Sequence, residues 1–403
     1  MKKIFNKFFE KLLRKKKRAD VLFICHRPAV WGSLASVYNA LISDERFNVT
    51  ILAIPNKKQD PLLGFDHENY HSEGAEAFFA DFKGQILNGY DYENKSWLDI
   101  SFLSPDYVFF QQPYDICRPP HLSSSAIAKR AKVCYVHYAN NFIGGGVFEE
   151  TYPLNFVKNV SFFFTQNSYD DKVLKEYLNK NKLHAKTYMT GFPRYDHNPY
   201  FTSGSSAFDL FNPTHKSTKI LWTPRWTTNE GNCSFFDYKN RLFDFANSNQ
   251  SIHLLFRPHP QAFQEWLACG LIDSYEIKNI YDACSFNRNL GIDTSSNYYK
   301  TIFDSDFLIS DVSSFIADFF FLTKKPIIYC HKKDCFNEYS RKLSTGFYWV
   351  RNFDELKDTI ELLQQGYDPL KEVREKLASE QNMKNLYGAG NLISRIIWKD
   401  FQS

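Results

Sequence analysis

The chain has 403 residues, too many for one ordinary hydrophobic core and suited to two domains. Its formal net charge is +4, with 43% hydrophobic residues, 39 Phe and 24 Tyr, which fits a globular class and argues against a disordered or strongly basic nucleic-acid-coating chain. No apolar run is long enough to span a bilayer, no secretory leader is recognisable, and the eight Cys form no Cys-x-x-Cys, so they read as reduced thiols of a cytosolic protein.

Residues 1–18, MKKIFNKFFEKLLRKKKR, carry nine Lys or Arg and one Glu, so +8, which leaves −4 for the rest. Ile4, Phe5, Phe8, Phe9, Leu12 and Leu13 share one face at helical spacing. That pattern predicts an amphipathic helix lying on a membrane surface, with Arg14 to Arg18 attracted to anionic lipid. A helix packed on its own domain is the plainer reading. Strands are predicted at Val21–Cys25 and Val49–Ile54, with a helix over Leu34–Leu41 between them. The stretch Lys57 to Gly74 reads as a long loop, and Tyr107–Gln111, Val133–Val136 and Phe162–Thr165 as further strands. A helix over Tyr169–Leu178 follows. Ser, Gly, Asn and Pro between Pro199 and Ser217 mark a linker. A second set of strands follows at Ile220–Trp222, His253–Phe256, Phe307–Ile309 and Ile327–Tyr329, and helices over Phe353–Gln364 and Met383–Trp398 close the chain. The predicted division is therefore 1–18, a membrane-docking segment; 19–200, an acceptor domain; 201–217, a linker; 218–382, a nucleotide-binding domain; and 383–403, a helix crossing back to the first domain.

Two strand ends in the second half carry the chemistry. Leu254-Leu255-Phe256 stops at Arg257-Pro258-His259-Pro260, and Phe307-Leu308-Ile309 stops at Ser310-Asp311-Val312-Ser313-Ser314. Ligands collect where buried parallel strands end. Arg257 and His259 supply cationic donors there. Ser313 and Ser314 open a helix over Phe315–Leu322, whose first N–H groups and dipole suit a phosphate. Asp311 or Ser313 is the expected cap of that helix, and a bare N-cap is the plainer reading of the motif.

These segments, in this order, are where a family shows. Arg257-Pro258-His259-Pro260, the Ser305 to Ser314 run, Asp318 and Lys325-Pro326-Ile327-Ile328-Tyr329 resemble the CDP-glycerol glycerophosphotransferases, the teichoic-acid polymerase and primase family with its capsule-polymer relatives. Gly191-Phe192-Pro193-Arg194-Tyr195-Asp196, Ile220 to Trp226 and Gly346-Phe347-Tyr348 extend the resemblance, which is strongest from Phe163 to Trp398 and weaker over Val21 to Gly146. It implies an α/β fold of the GT-B type, two Rossmann-like domains facing each other across a cleft. It implies transfer of glycerol or ribitol phosphate from a CDP-activated donor to a hydroxyl of a lipid-linked acceptor, with CMP released at the inner face of the cell membrane.

Phosphoryl transfer needs alignment and charge neutralisation more than covalent help. Under that reading Arg257 and His259 stabilise the leaving phosphate, Ser313 and Ser314 hold phosphate at the helix start, and Arg225 contacts phosphate or pairs with Asp311. Asp318 accepts from a ribose hydroxyl. The resemblance implies a catalytic His in the first domain within a His-Gly-Thr motif. Here His137 stands right after an apolar strand, but Gly-Thr does not follow it. His26 is the alternative base, and with Tyr114 and Asp115 is placed toward the acceptor. No residue cluster has metal-ligand spacing, so no cofactor is expected to be required, and a loosely bound Mg²⁺ stays compatible with the pattern. No nucleic-acid partner is indicated. Three other activities share such a pocket: a GT-B glycosyltransferase using a CMP- or UDP-activated sugar, a nucleotide-sugar epimerase, and a non-catalytic docking protein of the same fold.

Overall fold

The computed structural model describes residues 17–60, 64–140, 152–196, 205–211, 217–295, 298–382 and 388–403. Residues 1–16 of the expected docking segment 1–18 lie outside these residues, as do 201–204 and 212–216 of the expected linker 201–217, and residues 383–387.

The first half winds into a seven-stranded sheet. Its strands are β1 (Ala19–Cys25), β2 (Phe47–Ala53), β5 (Gln85–Asn88), β8 (Tyr107–Phe110), β9 (Lys132–Val136), β10 (Val160–Thr165) and β11 (Lys186–Met189). They lie in the order β11-β10-β9-β8-β1-β2-β5, every pair parallel. Two small antiparallel hairpins project from the sheet connections, β3 (Asn56–Asp60) with β4 (Gly64–His71), and β6 (Tyr90–Asp91) with β7 (Ser96–Trp97). The first of these hairpins replaces most of the loop expected over 57–74. Its polar sequence hides it, since it lacks the apolar alternation that marks a half-buried strand.

The second half forms a six-stranded parallel sheet, β12 (Thr218–Thr223), β13 (Ile252–Phe256), β14 (Leu290–Ile292), β15 (Phe307–Ser310), β16 (Ile327–Cys330) and β17 (Tyr348–Val350). Its order is β14-β13-β12-β15-β16-β17. Burial on both faces explains the continuous apolar runs. Along β1, Val21, Phe23 and Cys25 join one core while Leu22 and Ile24 join the core on the other face. Along β12, Ile220 and Trp222 face one core and Leu221 the other. All eight Cys are free thiols, six of them buried.

Each sheet reverses its winding once. In the first, β2 and β5 lie on one side of β1 and β8 on the other; in the second, β13 and β14 lie on one side of β12 and β15 on the other. Such switch points open a crevice at the carboxyl edge of a sheet.

Six helices matter here: α1 (Gly32–Ile42), α2 (Ser168–Lys180), α3 (Phe235–Ser248), α4 (Ser314–Thr323), α5 (Lys371–Asn382) and α6 (Ala389–Gln402). The helix expected over 383–398 begins at Ala389, after Gly388 at φ +75°. Asp196 caps it, its carboxylate accepting the N–H groups of Ala389 and Gly390 at 2.9 and 2.8 Å. α6 packs on α1 of the first half, so closely that a Cβ at Gly390 would stand 2.3 Å from the Ser36 carbonyl oxygen. Its far end is held by Asp400, which accepts from Tyr107 and from Lys132.

Candidate active site

The carboxyl edge of the second sheet gathers the residues of its two motifs. β13 and β15 flank β12, so the segments that follow all three emerge side by side. After β12, the Arg225 guanidinium donates to the Val312 carbonyl at 3.1 Å and pairs with Glu230 at 2.6 Å. After β13, Arg257 donates to Asp293 at 2.7 Å and to the Ser295 carbonyl at 3.0 Å, and its guanidinium lies 4.8 Å from the Tyr298 ring centre. Tyr298 in turn packs on Phe315 in the first turn of α4, their centroids 5.2 Å apart. A continuous set of contacts therefore joins Arg257 to the start of the serine helix.

His259 stacks on Trp226, with ring centroids 5.0 Å apart and planes at 14°. Its Nδ1 accepts the Gln261 N–H at 3.2 Å, which leaves the proton on Nε2 as a donor. The ring meets solvent inside the cleft yet is hemmed in by protein. That desolvation, with the charges of Arg225, Arg257 and Arg27, brings its pKa down to about 4, so the ring is neutral near pH 7.

α4 begins at Ser314 with Ser313 at the N-cap position. The expected cap is not made. The Ser313 side chain makes no cap hydrogen bond, and no acidic residue stands in the first turn. The Ser313 hydroxyl is buried without a partner. Orphan N–H groups and a hydroxyl with nothing to bond leave this helix start unsatisfied, which a closed cap would not.

Two carboxylates of this region have other work. Asp311, expected among the phosphate-site residues as a helix cap or as the partner of Arg225, is fully buried, and its Oδ2 accepts the backbone N–H groups of Arg225 and Ser234 at 2.8 Å each. Burial brings its pKa up to about 6. It ties the loops after β12 and β15 together, and its charge would repel a phosphate. Asp318, assigned to a ribose hydroxyl, is also buried. Arg194 donates to it at 2.6 Å, and Tyr195 and Tyr298 at 3.3 Å. Arg194 also donates to the Tyr138 carbonyl at 2.7 Å and to the Tyr298 hydroxyl at 3.0 Å. Burial opposes the Arg194 charge, and Asp318, Tyr299 and Tyr298 together outweigh it, so its pKa stands above the ordinary value. The Gly191 to Asp196 motif is thus a clasp, Arg194 locking the two halves together and Asp196 capping α6.

The first sheet's carboxyl edge is more fully satisfied. The His26 ring is 1% exposed, its Nε2 2.8 Å from Gln112 Oε1, and burial brings its pKa down to about 4. It is scaffold, and the acceptor role given to it from sequence does not fit a ring with no open face. Asp115 is likewise consumed, accepting from Arg118 at 2.5 Å and from the Ser124 hydroxyl and N–H at 2.6 and 2.8 Å. Tyr114 shares a 3.1 Å hydroxyl contact with Tyr138. His137 differs. Its Nδ1 lies 2.6 Å from the Ala139 carbonyl and 3.2 Å from the Ala139 N–H, the shorter contact favouring a proton on Nδ1; among the described residues its buried Nε2 has no partner. Burial and Arg194 hold its pKa down at about 4.

Residues that the sequence reading did not assign complete the picture. Asp293 follows β14, which at three residues is too short to stand out. Gln111 and Arg27 face each other at the first switch point, and Glu73 pairs with Arg27 from the end of the polar hairpin. Among the described residues no group of three or more His, Cys, Asp or Glu is placed to hold a metal ion. A separate hollow of about 1100 Å³ beside α1 and α6, lined by Asn39, Gln166, Tyr195 and Arg395, includes none of Arg225, Arg257, His259, Ser313 or Ser314; the strand ends, where the charges converge, are the better candidate.

A family model described as CDP-Glycerol:Poly(glycerophosphate) glycerophosphotransferase matches residues 147–385. No curated protein is detectably similar in sequence. Among solved structures, a putative UDP-N-acetylglucosamine 2-epimerase from Listeria monocytogenes is similar at 14% identity, over 96% of this chain and 97% of that one, with a TM-score of 0.57. The UDP-GlcNAc 2-epimerase from Neisseria meningitidis bound to UDP-GlcNAc gives 15% identity, 95% and 98% coverage and 0.56. The wall teichoic acid polymerase TagF gives 13%, 96% and 90%, and 0.50. A TagF variant soaked with CDPG gives 0.52. These likenesses establish the GT-B fold, which epimerases and transferases share, so fold alone does not choose between them.

Proposed function

Since the chain belongs to the CDP-glycerol:poly(glycerophosphate) glycerophosphotransferase family, we propose that it transfers a polyol phosphate from a CDP-activated donor, in the cleft between its two sheets, to a hydroxyl of a lipid-linked acceptor. The observation that carries this is the open start of α4, an uncapped helix with a partnerless buried Ser313 hydroxyl beside Arg225 and Arg257. That combination suits a diphosphate. The TagF variant was soaked with CDPG, which supports the same donor here.

The two histidines suit opposite roles. The acceptor oxygen attacks the distal phosphorus and its proton passes to His137 Nε2, in the tautomer whose Nδ1–H donates to the Ala139 carbonyl. The bridging P–O bond breaks, and its electron pair leaves with CMP. His259 Nε2–H and the guanidinium groups receive that charge. A bound diphosphate raises the basicity of His137 by opposite charge. A loosely held Mg²⁺ would add to charge neutralisation, and the chain's own cations do not depend on it.

No helix among the described residues is long and apolar enough to cross a membrane. We place the enzyme on the inner membrane face through the basic segment 1–18, whose nine cations and single Glu favour anionic lipid. The test is a donor panel of CDP-glycerol, CDP-ribitol, CMP-sugars, UDP-sugars and UDP-GlcNAc, read by CMP or UDP release and by epimer formation. CMP release from a CDP-polyol in the presence of acceptor is expected. Turnover of a sugar nucleotide alone would overturn the reading.

A further inference from the structure

Arg27 follows β1 at the point where the first sheet reverses its winding, opposite Gln111 at the end of β8. The matching point of the second sheet holds Arg225 and Ser313. The backbone around Arg27 is fixed by one side chain. Gln111 Oε1 accepts the N–H groups of His26 and Arg27, at 2.9 Å each, and Gln111 Nε2 donates to the Arg27 carbonyl at 2.8 Å. Gln111 is wholly buried. A buried amide committed to two residues of one loop fixes where the Arg27 side chain starts.

The guanidinium leans on Glu73, with Nε 2.5 Å from Oε2 and Nη2 2.7 Å from Oε1. These side chains are 39% and 29% exposed, unlike Arg257 and Asp293 at 13% and 1%. A partly exposed pair contributes little to stability and yields readily to a stronger anion. Glu73 has a second partner, Asn56, at 2.9 Å, so it is not stranded when the guanidinium leaves. The charges of Arg225, Arg257 and Arg27 all reach His259, and Arg27 alone comes from the opposite half. Each of the three is paired with a carboxylate, and Arg27 is the most exposed of them, at 39% against 14% for Arg225 and 13% for Arg257, so its guanidinium is the one most open to exchange.

We infer that Arg27 reaches across the cleft to bind the phosphate being transferred, exchanging Glu73 for an oxygen of the donor's distal phosphate. This rests on the reading that a CDP-activated donor occupies the cleft. The second sheet supplies cations for the phosphate that leaves with the nucleotide. The phosphate that moves must face the acceptor, and Arg27 is a partly exposed cation on that side.

CMP lacks the distal phosphate and CDP has it, so calorimetric titration of both isolates the contact. In Arg27→Ala the CDP affinity is expected to fall about tenfold, with CMP affinity held within about twofold. The kcat/KM for CDP-glycerol is expected to fall about 100-fold, with part recovered in Arg27→Lys. Glu73→Gln, which frees the guanidinium, is expected to lower donor KM. Should Arg27→Ala melt below the wild type, Arg27→Gln, which keeps one hydrogen bond to Glu73, carries the same comparison. Unchanged CDP affinity and turnover in the arginine variants would overturn the inference. Equal losses for CDP and CMP would do so too, as would equal losses in Arg27→Ala and Glu73→Gln. A wild type that binds CDP but consumes no CDP-polyol speaks against the transferase reading, and the CDP-to-CMP comparison then decides Arg27 by itself.

Discussion

The two carboxyl edges are built from the same kind of parts and treated differently. On the second sheet the start of α4 is left open, with an uncapped first turn and a partnerless Ser313 hydroxyl. On the first sheet His26, Gln111, Gln112, Asp115 and Arg118 satisfy one another, which makes a rigid floor rather than a set of binding groups. Only a few atoms escape that network, among them His137 Nε2. A polar residue at a strand end therefore says little until its partners are known. An unsatisfied buried group at a strand end, such as the Ser313 hydroxyl or His137 Nε2, is the exception that asks for a function.

The largest effect should come from the group that breaks the first edge's pattern. His137→Ala is expected to lower kcat about 1000-fold while the melting temperature changes little. The wild-type kcat/KM should hold as pH falls through 6.5 and decline only toward about 4, because a base works unprotonated and burial depresses this one. A scaffold histidine would give the reverse result, with activity kept and melting lowered.

Next is the clasp between the edges. Arg194→Ala leaves Asp318 buried and unpaired, and should cost about 3–5 kcal/mol in denaturant unfolding. An Arg194→Ala protein as stable as the wild type would show the two halves to be independent of this pair.

The smallest effect tests whether the first half's buried carboxylates are structural. Asp170, near the start of α2, is 6% exposed, and burial brings its pKa up to about 7. A carboxyl raised in the folded state contributes fully below its ordinary range and loses that contribution as pH rises toward 7. Asp170→Asn should therefore stabilise the protein by about 2 kcal/mol at pH 8 and by nearly nothing at pH 4. A pH-independent change would mean that Asp170 is not the titrating group.

How much was legible differs by element. Strands β1, β2, β8, β9, β10, β12, β13, β15 and β16 show in the chain as apolar runs, because parallel strands covered on both faces need apolar residues throughout. β14 and β17, of three residues each, and β5, on the exposed edge, leave too short or too mixed a signal. The site motifs were visible as residue types after strands. The sequence offers Arg225 as a partner for Asp311, and it bonds Asp311 through its backbone N–H; the other partners of Arg257, Asp311 and Asp318 were not visible, since Asp293, Ser234 and Arg194 come from other strand ends or from across the cleft.

By itself the amino-acid order determined the alternation of buried strands and helices, the family, and the Arg257–His259 and Ser313–Ser314 segments, all of which rest on neighbours within one stretch of chain. Tertiary structure alone decided that Asp311 Oδ2, Asp318, His26 and Asp115 are already bonded and that, among the described residues, His137 Nε2 and the Ser313 hydroxyl are not. The reason is that a hydrogen bond is spent on whichever partner the fold brings within about 3 Å, and most of these partners lie tens of residues away along the chain.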